Sequence, residues 1–118
     1  MLVIKPEWLE MILAGDKCLE IRGSPTDKVG QRIYLAASGA PNLIVASVYL
    51  SDCIGPLSAV EWEALRPGHC VPGGSGYHVT YAYRFDDLVR YHWPVPYARK
   101  HGVVTWENVP LAKELRHV

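Results

Sequence analysis

The feature that most limits the fold is punctuation. Runs of strand character in this chain are short and follow one another closely. Gly, Pro, Asn and Asp break them up, and before the C-terminal tail only two stretches have helical spacing. Leu2-Val3-Ile4 reads as a first strand. Pro6 suits the first turn of a helix, where its missing N–H is not needed, and Trp8, Leu9, Ile12 and Leu13 recur at helical spacing up to a Gly15 C-cap. Arg32–Ser38 and Leu43–Leu50, the latter able to continue to Ile54, flank a turn at Gly39–Asn42 and read as an antiparallel hairpin. Ser58 and Glu61 form a capping-box pattern for a helix to about Leu65, stopped at Arg66-Pro67-Gly68. A glycine-rich loop follows to Gly76. Tyr77–Phe85 then alternates as a strand whose aromatic parity reads first as a core face; Asp86-Asp87 breaks it, Leu88–Tyr91 resumes it, and Trp93–Pro96 reads as extended linker. Val103–Trp106 reads as a last strand and Pro110 as the opening of a short terminal helix. Sequential strands, few helices and no βαβ alternation predict a small α+β or mainly β fold: a mostly antiparallel barrel with helices against it.

At 118 residues the chain is long enough for one domain with a real core, so 1–118 is read as a single domain. Twelve basic residues balance twelve acidic ones, which argues against indiscriminate binding of phosphate backbone; any nucleic-acid contact must come from a local patch. Cys18, Cys53 and Cys70 are odd in number and show no C-x-x-C, which argues against a disulfide scaffold and a zinc site. Reduced thiols, with no apolar run of transmembrane length, fit a cytoplasmic protein away from membranes. The five histidines lack metal-ligand spacing and read as surface or loop residues. No metal or cofactor is expected.

Chemistry concentrates in Gly15–Arg22, a G-x-K-x-x-E-x-R pattern. From Cys18 onward it alternates, with Leu19 and Ile21 on one side and Cys18, Glu20 and Arg22 on the other. An exposed edge strand with a solvated Glu20–Arg22 pair, worth about 0.2–1 kcal/mol, is one reading. The other is a polar cluster at the mouth of a barrel or cleft, where three close charges must compensate one another or meet a ligand. Ser38, at a strand end, is either a turn residue or part of such a cleft. Cys18 reads as a buried inert thiol. Tyr81 and Tyr83, near Arg84 and Arg90, offer either core surface or stacking faces for bases.

The segments Ile4-Lys5-Pro6, Ile12-Leu13-Ala14-Gly15, Gly15-x-Lys17-x-x-Glu20-x-Arg22 and Gly30-x-x-Ile33-Tyr34-Leu35 resemble the ASCH domain, a relative of the PUA domain. Tyr81-Ala82-Tyr83 through Pro94, Pro96-Tyr97 and Gly102–Trp106 are similar to its last strands. The resemblance implies a PUA-like barrel of about five or six mostly antiparallel strands with short flanking helices and a cleft over the motif. It implies RNA, or a nucleotide or nucleoside, as the partner, with Lys17, Glu20 and Arg22 as the motif's binding residues; Lys5, Ser38 and Tyr81 are the further binding candidates. Some family members are similar to hydrolases that remove the acyl group of N4-acetylcytidine, and others are linked to ribonuclease activity. In the amidohydrolases a threonine stands where this chain has Glu20. An enzymatic reading would therefore use Glu20 as a general base on water and Lys17 as oxyanion stabiliser, without metal. Glu61, Glu63 and Glu107 are the candidates for a second acid/base.

Overall fold

The computed structural model describes residues 1–39 and 42–97. The Ala40-Pro41 part of the expected turn, the Val103–Trp106 strand, the helix from Pro110, Glu107, His101 and His117 lie outside the described residues. Strand β1 (Leu2–Ile4) leads into helix α1 (Pro6–Leu13), which has Pro6 in its opening turn and Glu7 beside it. Gly15, at φ +87°, ends the helix as the sequence predicts. Its N–H donates to Ile12 O at 3.0 Å and that of Asp16 to Met11 O at 3.0 Å, the paired bonds of a Schellman motif. The same carbonyl of Met11 accepts from Lys17 N at 3.2 Å. The helix end thus fixes where Lys17 enters β2 (Leu19–Arg22).

The expected hairpin forms from β3 (Gln31–Ala37) and β4 (Leu43–Ile54) and is antiparallel. Helices α2 (Ala59–Ala64) and α3 (Arg66–His69) follow, then β5 (Tyr81–Pro96). The strands make one five-stranded sheet in the order β1-β3-β4-β5-β2. Only β1–β3 is parallel; the other three pairings are antiparallel. The outer strands are therefore β1 and β2, which lie on either side of α1 in the chain.

Alternation decides which residues the sheet buries and where. Leu2, Ile4, Ile33, Leu35, Val48, Leu50, Tyr83 and Phe85 form the main core, covered by Leu9 and Ile12 of α1. Leu19, Ile21 and Ala82, of the opposite parity, pack with Trp62 of α2. Fully burying one such aliphatic side chain stabilises by about 1.5–3 kcal/mol. Ser58 caps α2 as expected: its Oγ accepts from Glu61 N at 3.1 Å and its N–H donates to Glu61 Oε1 at 2.8 Å.

Three expectations need correction. Strand β5 does not begin at Tyr77 and does not stop at Asp86-Asp87; it runs unbroken through Trp93–Pro96, where Ile44 pairs with Val95 and Leu43 with Pro96. Asp87, at φ +51°, sits where β5 carries one residue more than β4 between the pairs Tyr49–Asp86 and Ser47–Val89. Arg32 holds this bulge by bonding Ser47 Oγ, Asp87 O and the Asp87 carboxylate. Second, the stop at Arg66-Pro67-Gly68 is itself a helical turn, α3. Third, His69 is not a surface residue but is fully buried. Among the described residues no helix is long and apolar enough to cross a membrane.

No heavy atom lies within 4 Å of a Cβ built on Gly15, so substitution there meets strain from the backbone alone. Gly15→Ala is expected to lower stability by about 1–2 kcal/mol in urea denaturation, and Gly15→Asn by less.

Candidate functional site

Buried polar side chains mark where a fold departs from simple packing. Among the described residues they are Lys17, Glu20, Ser47 and His69, and two of these belong to the G-x-K-x-x-E-x-R motif. The solvated edge-strand reading is thereby excluded. Although β2 is an outer strand of the sheet, Leu19, Glu20 and Ile21 are all buried. Leu19 and Ile21 face α2, and Glu20 faces the other way, paired in register with Tyr83.

The three charges compensate one another. Arg22 Nη2 donates to Glu20 Oε2 at 2.8 Å and Nε to the same oxygen at 3.2 Å. Arg22 Nη2 also donates to Val3 O at 2.9 Å, reaching from β2 to β1. These are the two outer strands of the sheet, so one guanidinium links its two edges. Lys17 Nζ lies 3.9 Å from Glu20 Oε1, with the two side chains only 1% and 5% exposed. Its closest bond is a donation to His69 O at 2.6 Å, and it sits 5.1 Å from the centre of the Trp8 ring. Burial pushes the Lys17 ammonium below the ordinary lysine value, and the Glu20 carboxylate pulls in the opposite sense.

His69 serves this arrangement through its backbone. Val71 N donates to Nδ1 at 2.9 Å, so Nε2 carries the proton and donates to Trp62 O at 2.9 Å. The ring stacks on Trp62, with centroids 3.8 Å apart and planes 16° from parallel. Burial holds the imidazole below the ordinary histidine value, consistent with a neutral ring. The carbonyl that receives Lys17 is therefore fixed by a packed aromatic pair.

A pocket of about 560 Å³ opens over the cluster. Lys5, Lys17, Glu20, Arg22 and Ser38, five of the six residues singled out from the sequence, line it together. Tyr81 does not. It pairs with Arg22 on β5, is half-buried against the main core, and its ring lies where a Cβ on Gly55 would fall. Two aromatics that sequence reasoning passed over, Trp8 and Tyr77, line the pocket instead. Tyr77 precedes the true start of β5, so strand parity does not govern its direction.

The other candidates stand apart. Glu61 is engaged in the α2 cap, and Glu63 is paired with Arg66 at 2.7 Å. Neither lines the pocket, so neither supplies a second acid/base to it. Cys18, expected to be buried, is exposed, because the chain enters β2 only after it. Among the described residues no group of His, Cys, Asp and Glu side chains could hold a metal ion.

These features define a small α+β protein whose curled mixed sheet opens a polar pocket between its outer strands. The chain has the ASCH fold. It is similar to crystal structures of the ASCH protein of Zymomonas mobilis. A serine-to-alanine mutant of that protein matches with a TM-score of 0.71 at 18% identity, over 96% of this chain and 87% of that one. A tyrosine-to-phenylalanine mutant matches with 0.64 at 19% identity, over 80% and 73%. The structure described simply as ASCH matches with 0.62 at 19% identity, over 79% and 67%. No family model matches the chain, and no curated protein matches it.

Removing Glu20 would leave the buried Lys17 ammonium and the half-buried Arg22 guanidinium without their carboxylate. Glu20→Ala is expected to cost about 3–5 kcal/mol in chemical denaturation, and a Lys17→Met/Glu20→Ala double variant less than the sum of the singles. Lys17 also sets a pH dependence. Because folding lowers its pKa, the folded state binds fewer protons than the unfolded state between that lowered value and 10.5. The stability contributed through Lys17 therefore rises with pH across this window. Urea titrations of wild type and Lys17→Met should show their stability difference moving toward wild type as pH rises to about 10.

Proposed function

We propose that this pocket recognises RNA or a nucleotide moiety, seating one unpaired base over the Lys17–Glu20–Arg22 cluster. The carrying observation is an acceptor with spare capacity beside a cationic donor, both lining the pocket. Arg22 occupies Glu20 Oε2 with two hydrogen bonds, while Oε1 faces Lys17 Nζ at 3.9 Å and keeps acceptor capacity. Base edges carry donor and acceptor atoms side by side, so Glu20 Oε1 would accept from an amino group and Lys17 would donate to a ring nitrogen or carbonyl oxygen. Lys5, exposed at the pocket, suits a phosphate. A formal charge of zero supports a confined site rather than a groove that tracks a strand.

Hydrolysis of a modified nucleoside or of RNA would draw on the same pair, with Glu20 activating water and Lys17 steadying the oxyanion. Glu20 is engaged by Arg22 as an ion-pair partner, which favours recognition over proton abstraction.

Titration calorimetry with the nucleoside 5′-monophosphates and a short single-stranded RNA, with chelator present, tests the reading. Wild type should bind, Lys17→Met should bind about 10–100-fold more weakly, and the salt slope should be near that of one phosphate contact. Mass spectrometry of the same mixtures, with an N4-acylated cytidine included, should show no turnover. A product formed by wild type and not by Lys17→Met would replace recognition with metal-independent hydrolysis. Failure of wild type to bind any of the panel would overturn the reading.

A further inference from the structure

The segment between α3 and β5 contains Gly73, Gly74 and Gly76, yet hydrogen bonds hold it at several points. Trp62 Nε1 donates to Gly73 O at 2.7 Å, and Arg66 donates to Val71 O and Gly73 O. Ser75 Oγ bonds Thr80 Oγ1 at 2.6 Å and accepts from Tyr77 N at 3.1 Å. This network presents Tyr77 to the pocket.

The Tyr77 ring has a prepared bed. A Cβ built on Gly23, just past the end of β2, would lie 2.7 Å from Tyr77 Cδ1 and 3.2 Å and 3.3 Å from Cε1 and Cγ. Only glycine lets the ring settle this close to the backbone. Despite that contact Tyr77 stays 47% exposed, and it lines the pocket beside the charged cluster. Exposed aromatics held rigidly near cations are the platforms on which unpaired bases stack, and they bind with little ordering cost because their position is already set. Trp8, the other aromatic at the site, has the Lys17 ammonium over its ring.

We propose that Tyr77, seated on Gly23, is the stacking platform and specificity-determining residue of this pocket, so that the site requires a planar heteroaromatic ring on its ligand and not merely a sugar phosphate. This rests on the recognition reading above. Stacking supplies affinity through the ring, whereas Lys17 and Glu20 read the polar edge. Gly23 acts as a positioning residue by leaving room for the ring.

The test compares nucleoside 5′-monophosphates with ribose 5-phosphate, which keeps the anion and loses the base. Calorimetry would use wild type, Tyr77→Phe, Tyr77→Ala, Tyr77→Leu and Gly23→Ala, each checked by thermal unfolding. Tyr77→Phe should bind the nucleotides as wild type does. Tyr77→Ala and Tyr77→Leu should lose about 5–150-fold for nucleotides and little for ribose 5-phosphate. Gly23→Ala should lose in the same selective way, because it displaces the ring. Leucine keeps apolar packing on Gly23, so it preserves the test if alanine disturbs the segment. Nucleotide affinity unchanged in folded Tyr77→Ala or Tyr77→Leu would overturn the proposal while leaving recognition standing. So would an equal loss for ribose 5-phosphate. Wild type that binds no nucleotide overturns both.

Discussion

One guanidinium joins the two ends of the sheet. Arg22 leaves β2, binds Glu20 of its own strand through two nitrogens, and donates to the Val3 carbonyl of β1. Both are outer strands, and an outer strand carries unpaired backbone groups that need partners. A ladder of backbone hydrogen bonds would close the gap between β1 and β2 completely. A side-chain bridge closes it while leaving room, and that room is the pocket. Arginine suits the role because its planar fork serves a carboxylate and a carbonyl together, which a lysine ammonium does with less geometric definition.

The rest of the site follows from making that bridge tolerable. Glu20 is buried, so its charge must be matched, and Arg22 and Lys17 approach its two oxygens. Lys17 is buried in turn and finds the His69 carbonyl and the Trp8 ring. His69 can offer that carbonyl because its ring is locked against Trp62, whose partners on the sheet are Leu19 and Ile21 of β2. The chain of dependence returns to the strand where it began. Gly15 belongs to the same logic, since its positive φ ends α1 where Lys17 can drop into the cluster.

Much of this was legible because the signals were local. Pro6 and Gly15 bound α1, Ser58 and Glu61 cap α2, and the turn after Ser38 announces the hairpin; each depends on residues a few positions apart. The gathering of Lys5, Lys17, Glu20 and Arg22 at one pocket was legible through the motif and the family resemblance together, and the place of Ser38 there through its position at a strand end. What sequence reasoning missed was non-local. Asp86-Asp87 reads as a break because nothing nearby reveals that Arg32 will clamp the bulge. His69 sits in a glycine-rich stretch, and its burial depends on Trp62 stacking from another helix. Tyr77 shares parity with Tyr81, but β5 begins only at Tyr81, so the pocket receives Tyr77 and the core receives Tyr81.

Arg22 is the link between the sheet edges, and native-state amide exchange of wild type against Arg22→Lys measures that link. The charge is kept and the fork is lost. Exchange should accelerate at β1 and β2 while the β3–β4 hairpin keeps its protection, because only the seam has been opened. Unchanged protection in both outer strands would contradict the account, since the edges would then be held together without the guanidinium.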